Sequence, residues 1–272
     1  MQTQREESDR LLRAKTADLA RQMQRDNLPC FSRFLDGRER ILAQRELQAL
    51  RFPQDQYCFW EGFEADATTP SAAAPLRCML GLFPDYLALT EGMDRSIWEE
   101  QFPIFAVTLS YRAQDALTHR DLLGSLMGLD IKRELIGEIL TAQDHAVIFC
   151  TQTAQQLILS ELSRAGRAGV RVQAGRPEQL PPAIRLEDKT GTVSSMRLDC
   201  VVSLALNLSR EKSAALIEGG QVNLNFFEET KSSREVKVGD ILSIRGYGRF
   251  LLSQQGALSK KGRIHLTVSR YV

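Results

Sequence analysis

The stretch RPEQLPPAI, residues 176–184, places three prolines within nine residues, and neither a helix nor a strand runs through such a segment. Each proline fixes its own φ, lacks the N–H that a helical turn or a ladder needs, and biases the residue before it towards extended backbone. The chain therefore reads as two bodies joined near residue 182, in keeping with a length of 272 residues, roughly twice that of a common single domain.

The hydrophobic pattern differs on the two sides. Upstream, FAVTLSYR (105–112) alternates as a strand, HRDLLGSLMGLDI (119–131) has helical spacing, and LIGEIL (135–140) and AVIFCTQ (146–152) read as strands. TAQQLILSELSRAG (153–166) is an amphipathic helix and VRVQ (170–173) a last strand, which gives the order βαββαβ of a ferredoxin-like or RRM-like sheet. An RRM stacks bases on aromatic residues of its central strands; AVIFCTQ offers Phe149 alone and no RNP1 pattern, so stacking of that kind is not expected. The first fifty residues read as helical, with Leu12, Leu19 and Met23 in one run and Ile41, Leu42, Leu47 and Leu50 in another. QYCFWEGF (56–63) and RCMLGLFPDY (77–86) read as strands around the small-residue loop ADATTPSAAAP (65–75). Downstream, LDCVVSLALNLS (198–209) is helical, a second short helix follows, and QVNLNFF, DILSIR, RFLLSQ and RIHLTVSRYV alternate as strands. The expected layout is α+β: a helical N-terminal segment with some α+β character over 1–74, an RRM-like βαββαβ domain over 75–182 and a small α+β domain over 183–272.

Hydrophobic residues at 43% and charged residues at 25% are ordinary for a soluble globular chain. There is no apolar run of about 18 residues, and MQTQREESDRLLRAKTADLARQMQRD is too charged for a signal peptide, so a cytoplasmic protein without membrane attachment is expected. Five widely spaced cysteines, Cys30, Cys58, Cys78, Cys150 and Cys200, form no C-x-x-C pair and read as buried reduced thiols. The net charge of +1 conceals an asymmetry: residues 183–272 carry 14 Lys and Arg against 9 Asp and Glu, a net +5, and the remainder is −4. A basic C-terminal module points to a polyanionic partner.

His119-Arg120-Asp121 is the tripeptide of a protein-kinase catalytic loop, but such a loop needs an asparagine where Leu126 stands, a glycine-rich phosphate loop and a D-F-G, and this chain has none of them. Thr118-x-x-Asp121 instead has the spacing of a helix capping box. The P-loop, dinucleotide-binding and H-E-x-x-H patterns are likewise missing, and His119, His145 and His265 are scattered. No catalytic residue, metal ligand or cofactor is assigned.

The stretch that most resembles a functional site is RLDCVVSLALNLSREKSAALIEGGQVNLNFFEETKSSREVKVGDILSIRG, residues 197–246. It reads as two short helices with basic side chains at their starts, Arg197 on the first and Arg210 and Lys212 on the second, with Ser209 as cap and Gly219-Gly220 as stop. Helix starts carry partial positive charge and unpaired N–H groups, so two of them flanked by arginine make a phosphate site. R-L-D (197–199), S-R (209–210), L-I-x-x-G (216–220), V-x-L-N (222–225), K-x-S (231–233), V-x-x-G-D (236–240) and I-R-G (244–246) together resemble the S4 RNA-binding domain, with Phe226 standing where many such domains have glycine.

That resemblance implies RNA contact by Arg197, Ser209, Arg210, Lys212, Ser213 and Lys231, with Arg245, Arg249, Lys260 and Lys261 as outer phosphate contacts. The other possibility for Arg197 is an ion pair with Asp199 or Glu211. With LTHRDLLGSLMGLDIKRELIGEIL (117–140) upstream, F-L-D-x-R-E (34–39) near the start and K-K-G-R (260–263) near the end, the whole chain resembles the YlmH family of bacterial S4 proteins. The resemblance implies a non-enzymatic, monomeric protein that binds rRNA and tRNA on the large ribosomal subunit in translation or stalled-ribosome quality control. His119, Arg120, Lys132 and Arg133 are candidates for a second RNA contact, while the region around Arg77 lacks the basic stretch usual in the family. The competing reading, an RNA-modifying enzyme of pseudouridine synthase or methyltransferase type, needs a separate catalytic aspartate or a cofactor loop. The only R-L-D begins the helix at 197.

Overall fold

The computed structural model describes residues 2–64, 76–88, 95–115 and 117–272. Its residues form two compact units that meet in sequence at Ala183 and Ile184. The loop at 65–75 lies outside the described residues.

The N-terminal unit begins with α1 (Gln2–Asp26), β1 (Cys30–Leu35) and α2 (Gly37–Ala49), followed by β2 (Tyr57–Trp60) and β3 (Cys78–Leu82). The three strands pair antiparallel in the order β1-β3-β2. Ala20 and Met23 of α1 and Ala43 and Leu47 of α2 pack with Leu35, Leu80 and Leu82 of the sheet. Within F-L-D-x-R-E, Asp36 caps α2 by accepting the Glu39 N–H at 2.9 Å, while Glu39 accepts the Asp36 N–H at 2.7 Å. On the sheet's other face Phe34, Met79, Phe83, Trp98 and Phe102 form an aromatic cluster. Gly81 is required there, since a Cβ at this position would sit 2.6 Å from the Phe102 ring.

Two expectations are corrected. The first fifty residues are not all helical. CFSRFL forms β1, whose pairing with β3 shifts register between Phe31 and Phe34, and this irregularity hides the period-2 alternation that betrays a strand. A boundary at 74/75 would also cut through this sheet, because β3 pairs with β1 and β2.

A short helix α3 (Ser96–Glu99) leads into β4 (Phe105–Ser110), α4 (His119–Gly128), β5 (Ile136–Thr141), β6 (His145–Cys150) and α5 (Gln152–Glu161). A minimal pair, β7 (Arg164–Ala165) and β8 (Ala168–Gly169), precedes β9 (Arg171–Ala174). The sheet order β5-β6-β4-β9, all antiparallel, places the two strands joined through α4 apart with β6 between them, as a split βαβ arrangement does. Leu122 and Leu126 of α4 and Ala154 and Ile158 of α5 pack with Val107, Leu109, Ile136 and Ile148 on one face. The opposite face is also covered: Phe149 is 1% exposed and stacks on Phe63 at 4.7 Å. It is therefore a core residue and not a stacking platform.

The C-terminal unit comprises β10 (Leu186–Val193), α6 (Leu198–Leu206), α7 (Arg210–Glu218), β11 (Val222–Leu224), β12 (Phe227–Glu228), β13 (Ile241–Ile244), β14 (Gly248–Leu258) and β15 (Ile264–Tyr271). Its antiparallel sheet runs β10-β15-β14-β13-β11-β12. Strand β10 was not anticipated: LEDKTGTV is mostly polar because it lies at the sheet edge, paired on one side with β15, and buries only Val193. Helices α6 and α7 contribute Leu198, Val201, Val202 and Ile217 to a core shared with Val222, Leu242, Ile244, Phe250, Leu252, Leu266 and Val268.

Candidate nucleic-acid interface

The starts of α6 and α7 are held together by one carboxylate. Asp199, in the first turn of α6, is 4% exposed and accepts hydrogen bonds from Arg197 Nε and Nη2, each at 3.2 Å, and from Arg210 Nη2 at 2.8 Å. Burial on its own pushes a carboxyl pKa up; here the hydrogen bonds and charge of the two guanidiniums outweigh it and hold Asp199 down at about 2. The same contact raises Arg210. A guanidinium has five N–H donors, so after these contacts both arginines keep N–H groups that donate to no acceptor among the described residues; their side chains are 42% and 55% exposed. Together they form a cationic pair, gathered by one carboxylate, that stays partly open to solvent.

The loop after β12 completes the arrangement. Ser232 O accepts the Asp199 N–H at 3.1 Å and Arg234 O accepts the Leu198 N–H at 2.8 Å, while the Cys200 N–H goes to Asp199 Oδ1 at 2.9 Å. The α6 start is therefore not a source of unpaired N–H groups, contrary to the sequence reading; its phosphate-binding capacity lies in side chains. At α7, Ser209 Oγ accepts the Lys212 N–H at 3.3 Å, as the cap spacing predicts. Lys231, exposed, directly precedes Ser232, whose carbonyl meets the α6 start.

The structure does not gather the other candidates here. Ser213 is 0% exposed and donates to Ser209 O at 3.0 Å, so it is a packing residue. The Arg245 N–H donates to Gln221 O, just past the C-terminal end of α7, a helix length of roughly 13 Å from Arg210. Arg249 is the second residue of β14 whereas Lys260 and Lys261 follow its far end, some 30 Å away at about 3.3 Å per residue. Alternation also turns Arg249 to the sheet face opposite α6 and α7, since its neighbour Phe250 packs in the helix-covered core.

In the N-terminal unit, His119 and Arg120 are exposed on the first turn of α4, where Thr118 and Asp121 form the capping box: the Asp121 N–H donates to Thr118 Oγ1 at 3.3 Å and the Thr118 N–H to Asp121 Oδ2 at 3.0 Å. Lys132 is exposed. Arg133 is not available: its guanidinium donates to Ile136 O at 2.9 Å and Gly137 O at 3.3 Å, and burial together with the neighbouring Arg77 charge pulls its pKa down to about 10. Arg77 itself donates to Ile136 O, Phe34 O and Arg133 O at 2.9, 2.9 and 3.2 Å, tying β1 to β5. Four of the cysteines are buried and all five are free; burial pushes the Cys58, Cys78 and Cys150 thiols up to about 12, far from the thiolate form a nucleophile needs. No group of three or more His, Cys, Asp or Glu among the described residues is placed to hold a metal ion.

Comparison with known proteins bears on both units. A family described as "Putative RNA-binding domain in YlmH" matches residues 98–179, the segment holding β4 to β9 with α4 and α5. A Bacillus subtilis (strain 168) protein named Ribosome-associated protein quality control protein P2 is 32% identical over 191 residues, spanning 70% of this chain and 71% of that protein. The solved structure of cell division protein ylmH from Streptococcus pneumoniae aligns at 21% identity with a TM-score of 0.46, covering 62% of this chain and 92% of that one, too low to compare domain layouts. The chain belongs to the YlmH family.

Proposed function

We propose that this protein is a non-enzymatic RNA-binding factor that docks on structured ribosomal RNA through an S4-type surface at the starts of α6 and α7. The observation that carries the reading is the Asp199 clasp, which fixes Arg197 and Arg210 side by side with N–H donors left over. A planar guanidinium matches phosphate geometry, and a clamped pair loses little side-chain freedom on binding. Lys212 and Lys231 extend the surface, and phosphate and shape contacts of this kind suit folded RNA. The match of 98–179 to an RNA-binding family supports a second contact by the N-terminal unit, with exposed His119, Arg120 and Lys132 as its candidates. The ribosome-associated name of the Bacillus subtilis relative supports the ribosome as the place of action, and the large subunit with its tRNA is the proposed target.

The test is sedimentation with purified ribosomal subunits. Replacing Arg197, Arg210 and Lys212 with Glu is expected to abolish co-sedimentation with the large subunit; retained binding places the RNA site elsewhere.

A further inference from the structure

The six-stranded sheet of the C-terminal unit has two faces, and α6 and α7 pack on one of them. On the other, Ile241 and Leu251 are 4% and 1% exposed, and among the described residues the side chains packed on them come from strands and the loop between β11 and β12, not from a helix. They are roofed by side chains in a row. The guanidinium carbon of Arg249 stands 5.6 Å from the centre of the Phe226 ring and 5.8 Å from that of Tyr271, and Leu186 closes the margin. Arg249 is exposed and both rings are half-buried, so the row forms part of the surface.

Phe226 holds its place under strain. It is the second residue of the two-residue loop between β11 and β12, with φ +72 after Asn225 at φ +49, positions where glycine fits without cost and a bulky side chain does not. Asn225 braces the loop by donating to Asp240 Oδ1 and accepting the Ile241 N–H, each at 2.9 Å. Residues held in such backbone conformations cluster at binding sites, where the surrounding structure over-determines them. Here the strain sets an aromatic plane beside a guanidinium.

We propose that this face is a second RNA-binding surface, resting on the RNA-binding reading above, and that it takes unpaired nucleotides: bases stack along Phe226, Arg249 and Tyr271 while Arg249 and the exposed Arg245 meet the phosphates. Aromatic rings and guanidinium planes are what splayed bases stack on, independent of base identity, and bases inside a duplex present no free face to them. The face also carries two exposed carboxylates, Asp188, which accepts the Ser269 hydroxyl, and Glu228, which lies against Gly220, so stacking and not net charge carries the proposal. The two RNA surfaces would thus divide the work, the helix starts taking folded RNA and the open sheet an adjoining single strand.

Fluorescence anisotropy of the full chain with labelled oligoadenylate and oligouridylate decamers, beside a labelled stem-loop, tests this. Phe226→Gly removes the ring and relaxes the turn, Tyr271→Leu keeps an apolar cover, and Arg249→Lys keeps the charge but loses the plane. Each is expected to weaken decamer binding about tenfold, the size of one lost base stack, with stem-loop binding within twofold of the unsubstituted chain and thermal unfolding confirming that each variant is folded. Decamer affinities within twofold of the unsubstituted protein in all three variants would overturn the proposal. So would an unsubstituted chain that binds the stem-loop and no decamer, a result that leaves the helix-start reading standing; a chain that binds neither RNA ends both.

Discussion

Arginine is used in opposite ways in the two units. In the N-terminal unit Arg77 and Arg133 lie together and direct their guanidiniums at main-chain carbonyls of β1, β5 and the turn that leads into β5. In the C-terminal unit Arg197 and Arg210 lie together because one buried carboxylate draws both, and each side chain stays partly open to solvent. Two neighbouring cations repel in either place. Carbonyl dipoles and burial turn the first pair into a structural tie, with Arg133 held down to about 10; a full negative charge turns the second into a surface poised for anions, with Asp199 held down to about 2. The acceptor that gathers the arginines decides whether they serve the fold or the partner.

The comparison breaks most visibly if the first pair is removed. Arg77→Ala abandons three carbonyl contacts in a partly buried site, and a loss of about 3 kcal/mol in unfolding free energy by urea denaturation is expected, with RNA affinity of the folded protein unchanged. A loss under 1 kcal/mol, or reduced RNA affinity, would put Arg77 in the other class. Next in size on stability is Asp199→Asn, expected to cost about 2 kcal/mol, the equivalent of holding the carboxyl down from its ordinary value to about 2. It should also weaken RNA binding by roughly tenfold, because the guanidiniums are no longer held in register.

The sign of the pH dependence follows from the same shift. A folded-state pKa below the unfolded one gives stability that is complete above about pH 4 and is lost as pH falls towards 2. The difference in unfolding free energy between the parent and Asp199→Asn should accordingly shrink across that window; a constant difference would mean that packing, not charge, links the helices. The smallest expected effect concerns the thiols. With Cys58, Cys78 and Cys150 pushed up to about 12, native-state alkylation at pH 8 should proceed far more slowly than in the unfolded chain, and rapid labelling of these three would contradict their burial.

Legibility in the sequence tracked how local the determining contact is. The capping box at Thr118 and Asp121 and the cap at Ser209 were readable because both partners lie three residues apart. The alternation of β4 to β6 and the proline run after β9 were readable for the same reason. Strand β1 was not, because its pairing with β3 slips register, and β10 was not, because an edge strand with polar faces carries no apolar period. At the site, R-L-D marked Arg197 and Asp199 as neighbours, but that Arg210, eleven residues on, shares the same carboxylate is a tertiary fact. The capture of Arg133 by Ile136 and Gly137, the burial of Ser213 and the turning of Arg249 to the other face of the sheet depend likewise on packing that spacing does not encode.

The most direct test of the paired-arginine surface is the salt dependence of RNA binding, measured by anisotropy on a structured ribosomal RNA fragment for the parent and for Arg197→Gln, Arg210→Gln. If the clasped pair meets phosphate, the slope of log K against log salt concentration falls in magnitude by about 1.5 in the double variant, near the 0.7 to 0.9 expected for each lost contact. An unchanged slope with unchanged affinity would show that these guanidiniums touch no RNA.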